Sequence, residues 1–183
     1  SEDDCSKYIE IYEVNKTLTK LDLSDNEIGG GRWDYETHVT PEGPAALADG
    51  LKANQSVQQL HVNSNGLDAD AGKLFLPIVD KPHFEVFSGI PIKQIRENTV
   101  TKLDLKGSEG KQLEACGGIV LAHVLTGNTS VQQLDVSANG LGVDGGKAIA
   151  ASIAENRTIT SVSYQKNRFY LLFLTCLSPS PCL

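Results

Sequence analysis

The apolar positions of this chain recur in a fixed phrase. Leu18-Thr-Lys-Leu21-Asp-Leu23-Ser-Asp-Asn26 places apolar residues first, fourth and sixth and ends on Asn. Val57-Gln-Gln-Leu60-His-Val62-Asn-Ser-Asn65 and Val131-Gln-Gln-Leu134-Asp-Val136-Ser-Ala-Asn139 repeat it. Val100-Thr-Lys-Leu103-Asp-Leu105-Lys-Gly-Ser108 ends on Ser, and Ile159-Thr-Ser-Val162-Ser-Tyr164-Gln-Lys-Asn167 puts Tyr in the last apolar slot. The alternation predicts a short strand in each copy, with Leu21 and Leu23 facing inward and Lys20, Asp22 and Ser24 outward. The closing Asn is expected to bind backbone groups where the chain leaves the strand. Between copies the apolar spacing turns helical, in Ala45–Leu51, Ala71–Val79, Ile119–Leu125 and Ala148–Ala154. Five copies of strand then helix predict an α/β solenoid, each helix packed on the strand layer.

The punctuation repeats too. Asn15-Lys-Thr17, Asn54-Gln-Ser56, Asn128-Thr-Ser130 and Asn156-Arg-Thr158 close the helical runs, where Asn is expected to take the left-handed conformation that ends a helix. They also match the N-glycosylation pattern, although repeat grammar alone explains them. Val131 to Ile159 is 28 residues, whereas the earlier steps are 31, 43 and 39. One insertion, between Ile28 and Ala45, carries the single Trp33, with Tyr35 and His38. Its aromatics read either as a contact surface or as a cover over the solenoid edge. Thr40-Pro41-Glu42 after it reads as a helix start with Thr40 as N-cap. The other insertion makes the array irregular around 76–98, where a bend is expected. There Phe84, Val86 and Phe87 are candidates for core, and Pro91 opens a short helix toward Arg96. Residues 1–167 read as one repeat domain, beginning inside a unit, so that the array is expected to extend upstream. Residues 168–183 abandon the pattern and read as a cap, an apolar contact or an unnatural tail.

These phrases resemble the leucine-rich repeats of the ribonuclease-inhibitor type, found also in NOD-like receptors and Ran GTPase-activating proteins. The likeness runs over residues 5–167, and the 28-residue step fits a unit of about that length. The resemblance implies a horseshoe of about five units, two with insertions, with parallel strands on the concave face and helices on the convex one. It also implies protein binding on the concave face, since repeat arrays of this kind commonly bind there.

Composition narrows the function. A net charge of −7 opposes a partner that is nucleic acid or an anionic membrane surface, and the apolar tail is too short to span a bilayer. Cys5, Cys116, Cys176 and Cys182 form no C-x-x-C pair; reduced thiols in an intracellular, cytoplasmic protein are expected, Cys116 as a buried one. His38, His61, His83 and His123 show no metal spacing. The glycine runs before Lys111 and Lys147 do not fit a phosphate-binding loop, nor does Asp68-Ala-Asp70 fit a calcium loop. No cofactor, metal or catalytic set is therefore expected.

One constellation remains. The outward strand positions stack Lys20, Gln59, Lys102 and Gln133 in one row and Asp22, His61, Asp104, Asp135 and Ser163 in the next. They read either as a solvated lattice of mutually neutralised charges or as a docking strip for a basic or polar segment. Taken with Trp33 and Tyr35, the strip makes a non-catalytic protein-binding scaffold the leading expectation. The rivals are a GTPase-activating regulator, which the resemblance implies, and a structural subunit held in a larger chain or complex by its apolar tail.

Overall fold

A computed structural model describes residues 15–30, 32–33, 36–37 and 40–167, the four residues of 32–33 and 36–37 by backbone alone. Five copies of the phrase each form a parallel strand: β1 Lys20–Asp22, β4 Gln59–His61, β6 Lys102–Asp104, β7 Gln133–Asp135 and β8 Ser161–Ser163. Helices follow four of them: α1 Glu42–Ala53, α2 Ala69–Val79, α4 Glu114–Leu125 and α5 Gly142–Glu155. The long helices pack in sequence, α1 on α2, α2 on α4 and α4 on α5. Between β1 and α1, β2 (Arg32–Trp33) and β3 (Glu36–Thr37) make an antiparallel pair.

The irregular unit adds a strand that has no copy of the phrase. Val86–Phe87, β5, pairs parallel to β4, and the five-residue helix α3 (Ile92–Arg96) follows. The strands consequently fall into two three-stranded sheets, β1-β4-β5 and β6-β7-β8, rather than one continuous ladder. The unit earns its place by burial: Phe84, Phe87, Ile90, Ile92 and Ile95 are fully buried, each such side chain stabilising by about 1.5–3 kcal/mol. Phe87 meets Phe75 of α2 at a ring-centroid distance of 5.5 Å, tying the short strand to the helix layer.

Asn side chains join successive units. Asn65 Oδ1 accepts from Asn26 N–H at 2.9 Å and Ile28 N–H at 3.2 Å, while its amide donates to Leu23 O at 2.8 Å. Asn167 does the same for Asn139 and Leu141, at 3.0 and 3.5 Å. Ser108 stands where the next Asn would serve the Asn65 turn, and Glu114 takes over. Its carboxylate accepts from the N–H groups of Asn65, Gly66 and Leu67 at 3.0–3.1 Å.

The helix-ending asparagines work differently from the expectation. Asn54 and Asn156 are extended, at φ −66° and −78°, not left-handed; the left-handed residue before Asn128 is Gly127, at φ +79°. The Asn54 oxygen accepts from Ser56 and Val57 N–H at 2.9 and 2.8 Å, and its amide donates to Asn15 O. Asn128 and Asn156 repeat this, their amides reaching Ile95 O and Asn128 O. Asn54 and Asn128 are buried, so their amides are committed to the fold and closed to a glycan. Helix α1 also begins one residue later than expected, with Pro41 and not Thr40 at its N-cap. Cations finish the earlier helices: Lys81 Nζ donates to the carbonyls of Leu51, Lys52 and Asn54 at 2.6–2.8 Å, and Arg96 to those of Val79 and Lys81. Both satisfy carbonyls that a helix end leaves open.

Candidate functional site

The strand face carries the predicted rows, in two groups. Across the first sheet Lys20 lies opposite Gln59 and Asp22 opposite His61. Across the second, Lys102, Gln133 and Ser161 align, as do Asp104, Asp135 and Ser163. The two groups do not touch through strand pairing, because β5 follows β4 and offers Val86 opposite Gln59. Trp33 lies on β2, opposite Glu36 of β3; Tyr35 and His38 lie outside the described residues, as do Cys5, Cys176, Cys182 and the 168–183 tail.

Each aspartate of the central row serves the backbone. Asp22 Oδ1 accepts from Ser24 N–H at 3.2 Å and Ser24 Oγ at 2.8 Å. Asp104 accepts from Lys106 N–H at 3.3 Å, and Asp135 from Ser137 N–H at 2.9 Å. The residue type at this slot thus closes the strand exit, a role separate from any partner. The Ser24 hydrogen bonds hold the Asp22 carboxyl below its ordinary range, helped by His61 and Lys20. His61 occupies the same slot without an acceptor oxygen for that turn, and its partial burial lowers its pKa against the pull of Asp22.

A notch of ≈ 440 Å³ opens where β5 is too short to continue the rows. Ser88 is buried there, its Oγ accepting from Val62 N–H at 3.1 Å, and Gly89 turns at φ +87° with nothing within 4 Å of where a Cβ would stand. Lys20, Asp22 and His61 line one side, Asp104, Lys106 and Lys111 the other. Lys111 arrives because the 107–112 loop is fastened to the Asn65 unit. Gln112 N–H donates to Ser64 Oγ and Ser64 N–H to Gln112 O, both at 3.2 Å. The repeat phrase could reveal Lys106, two positions after Asp104 in its copy; Lys111 lay in a glycine-rich turn whose spacing excluded a phosphate loop but did not disclose where it folds.

The other candidates have structural uses. Asp68 caps α2, accepting from Ala71 N–H at 2.8 Å. His123 Nε2 lies 2.7 Å from Asp80 Oδ1 on the helix side. Cys116 is a buried free thiol, pushed up in pKa by that burial. Among the described residues no cluster of three His, Cys, Asp or Glu is placed to hold a metal, and no helix is long and apolar enough to cross a membrane.

The geometry defines a class first: a parallel strand-and-helix repeat array joined by side-chain amides. The leucine-rich repeat family model matches residues 14–31 and 127–150. Mouse ribonuclease inhibitor is 22% identical over 173 residues, taking in 85% of this chain and 34% of that protein. The chain therefore spans about a third of that relative's length. The tropomodulin C-terminal domain of Caenorhabditis elegans is similar in structure at a TM-score of 0.42 and 10% identity, over 95% of this chain and 89% of that one. Leiomodin-1 actin-binding site 2 is similar at a TM-score of 0.40 and 16% identity, over 92% and 84%. In repeat phrase and in fold the chain is similar to leucine-rich repeat proteins of the ribonuclease-inhibitor type.

Proposed function

We propose that this chain is a non-catalytic protein-binding scaffold that docks its partner along the strand face, with Trp33 and Tyr35 extending the contact. The observation that carries the reading is the register of Lys102 with Gln133 and Ser161 across three paired strands. Their side chains are exposed, and those of Lys102 and Gln133 have no hydrogen-bond partner among the described residues. A row of polar groups held by backbone pairing needs no backbone ordering on binding, which leaves only its side chains to be immobilised. The similarity to a ribonuclease inhibitor supports a binding role of the same general kind. An intracellular, cytoplasmic setting fits the unpaired Cys116 thiol.

The test is affinity capture with the purified chain. Lys102→Glu combined with Gln133→Glu alters the row without touching the aspartates that close the strands. A partner held by the wild type and by a helix-layer variant (Lys73→Glu with Lys147→Glu), but lost about tenfold or more by the row variant, is the expected result. Equal capture by all three places docking elsewhere and overturns the reading.

A further inference from the structure

The chain is acidic as a whole, but the notch between the sheets is not. Its charged lining consists of Lys20, Lys106 and Lys111 against Asp22 and Asp104, with His61 beside them. One oxygen of each aspartate already accepts from its own strand exit, whereas none of the three lysines has an ion-pair partner within 4 Å among the described residues. All three are exposed. Four lysines elsewhere on the molecule are engaged: Lys52 with Asp49, Lys73 with Asp70, Lys93 with Glu85, and Lys81 with three carbonyls.

The notch also has room. Gly89 and Gly110, both at positive φ and both with open space where a Cβ would stand, leave its rim bare. Fastening the 107–112 loop to Ser64 holds the Lys106 and Lys111 side against the Asp22 and His61 side. Three ammonium groups against two carboxylates leave this cleft with a net positive lining in an acidic chain, and a field of that sign selects a ligand by charge.

We propose that the notch receives an acidic side chain of the docked protein segment: a Glu or Asp of an extended peptide, bound by Lys20, Lys106 and Lys111. This rests on strand-face docking and gives it a polarity. The partner segment places a carboxylate over the gap between β4 and β6, and its polar groups over the rows on either side. It also reverses the choice that the row of aspartates alone would favour, a basic segment.

Fluorescence anisotropy with two labelled probes tests it: a short peptide of repeating Glu-Ser-Gly and its counterpart of repeating Lys-Ser-Gly. The Glu peptide is expected to bind the full chain. Lys20→Gln, Lys106→Gln and Lys111→Gln together should weaken it about tenfold, and raising the salt should weaken the wild-type complex in the same direction. A control removing the same charge from the helix layer (Lys52→Gln, Lys73→Gln, Lys147→Gln) should leave it within about twofold, with circular dichroism confirming that both variants fold. No binding of the Glu peptide, equal weakening by both triple variants, or preference for the Lys peptide each overturns the proposal. Repeating the partner capture with the notch variant separates the two readings. A partner lost by the Lys102/Gln133 variant but kept by the notch variant leaves strand-face docking standing and removes the carboxylate pocket.

Discussion

Glu114 does the work of an asparagine that the sequence does not provide. Its two oxygens accept from three consecutive N–H groups around Asn65, the bonds that Asn65 and Asn167 make in their own neighbours' turns. Glu114→Ala leaves those donors without their acceptor in a turn whose Asn65 and Leu67 are buried, and unsatisfied buried groups cost about 1–3 kcal/mol each. We expect the variant to lose about 2–3 kcal/mol in urea unfolding, and Glu109→Ala, in an exposed loop, to change little. The repeat phrase made the Asn positions legible, because their spacing is local and periodic. Glu114 was not legible: it lies six residues past the vacant slot at Ser108 and acts on a turn 47 to 49 residues away. The aspartates of the central row were read correctly as outward, but their bond to the residue two positions on is also a local rule, available to any reading that asked where that N–H goes.

At the level of elements, helices α4 and α5 meet through glycine. A Cβ on Gly118 would stand 2.8 Å from Gly145 Cα, backbone that cannot swing away. On propensity alone Gly→Ala inside a helix stabilises by about 1 kcal/mol. Gly118→Ala should do the opposite, destabilising by about 1–3 kcal/mol as the helices are forced apart. Gly146→Ala, one residue beyond Gly145 and with nothing within 4 Å of the added carbon, should follow propensity and stabilise by up to about 1 kcal/mol. Thermal unfolding of the two single variants decides it; the same sign in both removes the close-approach account. The apolar pattern announced all four long helices, since each spans several turns. It could not announce β5, two residues long and without the phrase, because its strand character comes from pairing with β4 and from burying Phe87 on Phe75.

For the molecule as a whole, two histidines set an acid limit. Burial lowers the pKa of His61 and of His83, and Lys81 adds to the second. His83 Nε2 is buried with no hydrogen-bond partner among the described residues. A lowered folded pKa means that the unfolded chain binds the proton first. Stability is then full above about 6.5, the ordinary value, and declines as the pH falls toward the folded values. The urea midpoint should drop between about pH 7.5 and pH 5.5, and His83→Gln should flatten that slope. Asp22, also lowered, adds its loss only below the carboxylate range, so a wild type with no slope near pH 6 refutes the histidine account. Net charge, visible at once in the sequence, concealed the positive notch. The 43-residue step signalled an irregular unit, yet no spacing could say that the sheet divides there. Asn65 and Asn167 supply acceptors to the turn before them and Glu114 to the Asn65 turn, while Lys81 and Arg96 supply donors to the helix before them; all of these devices point toward the amino end. During synthesis the chain leaves the ribosome amino end first, so each of these turns and helix ends emerges ahead of the residue that completes it, and its folding waits on translation of the unit behind.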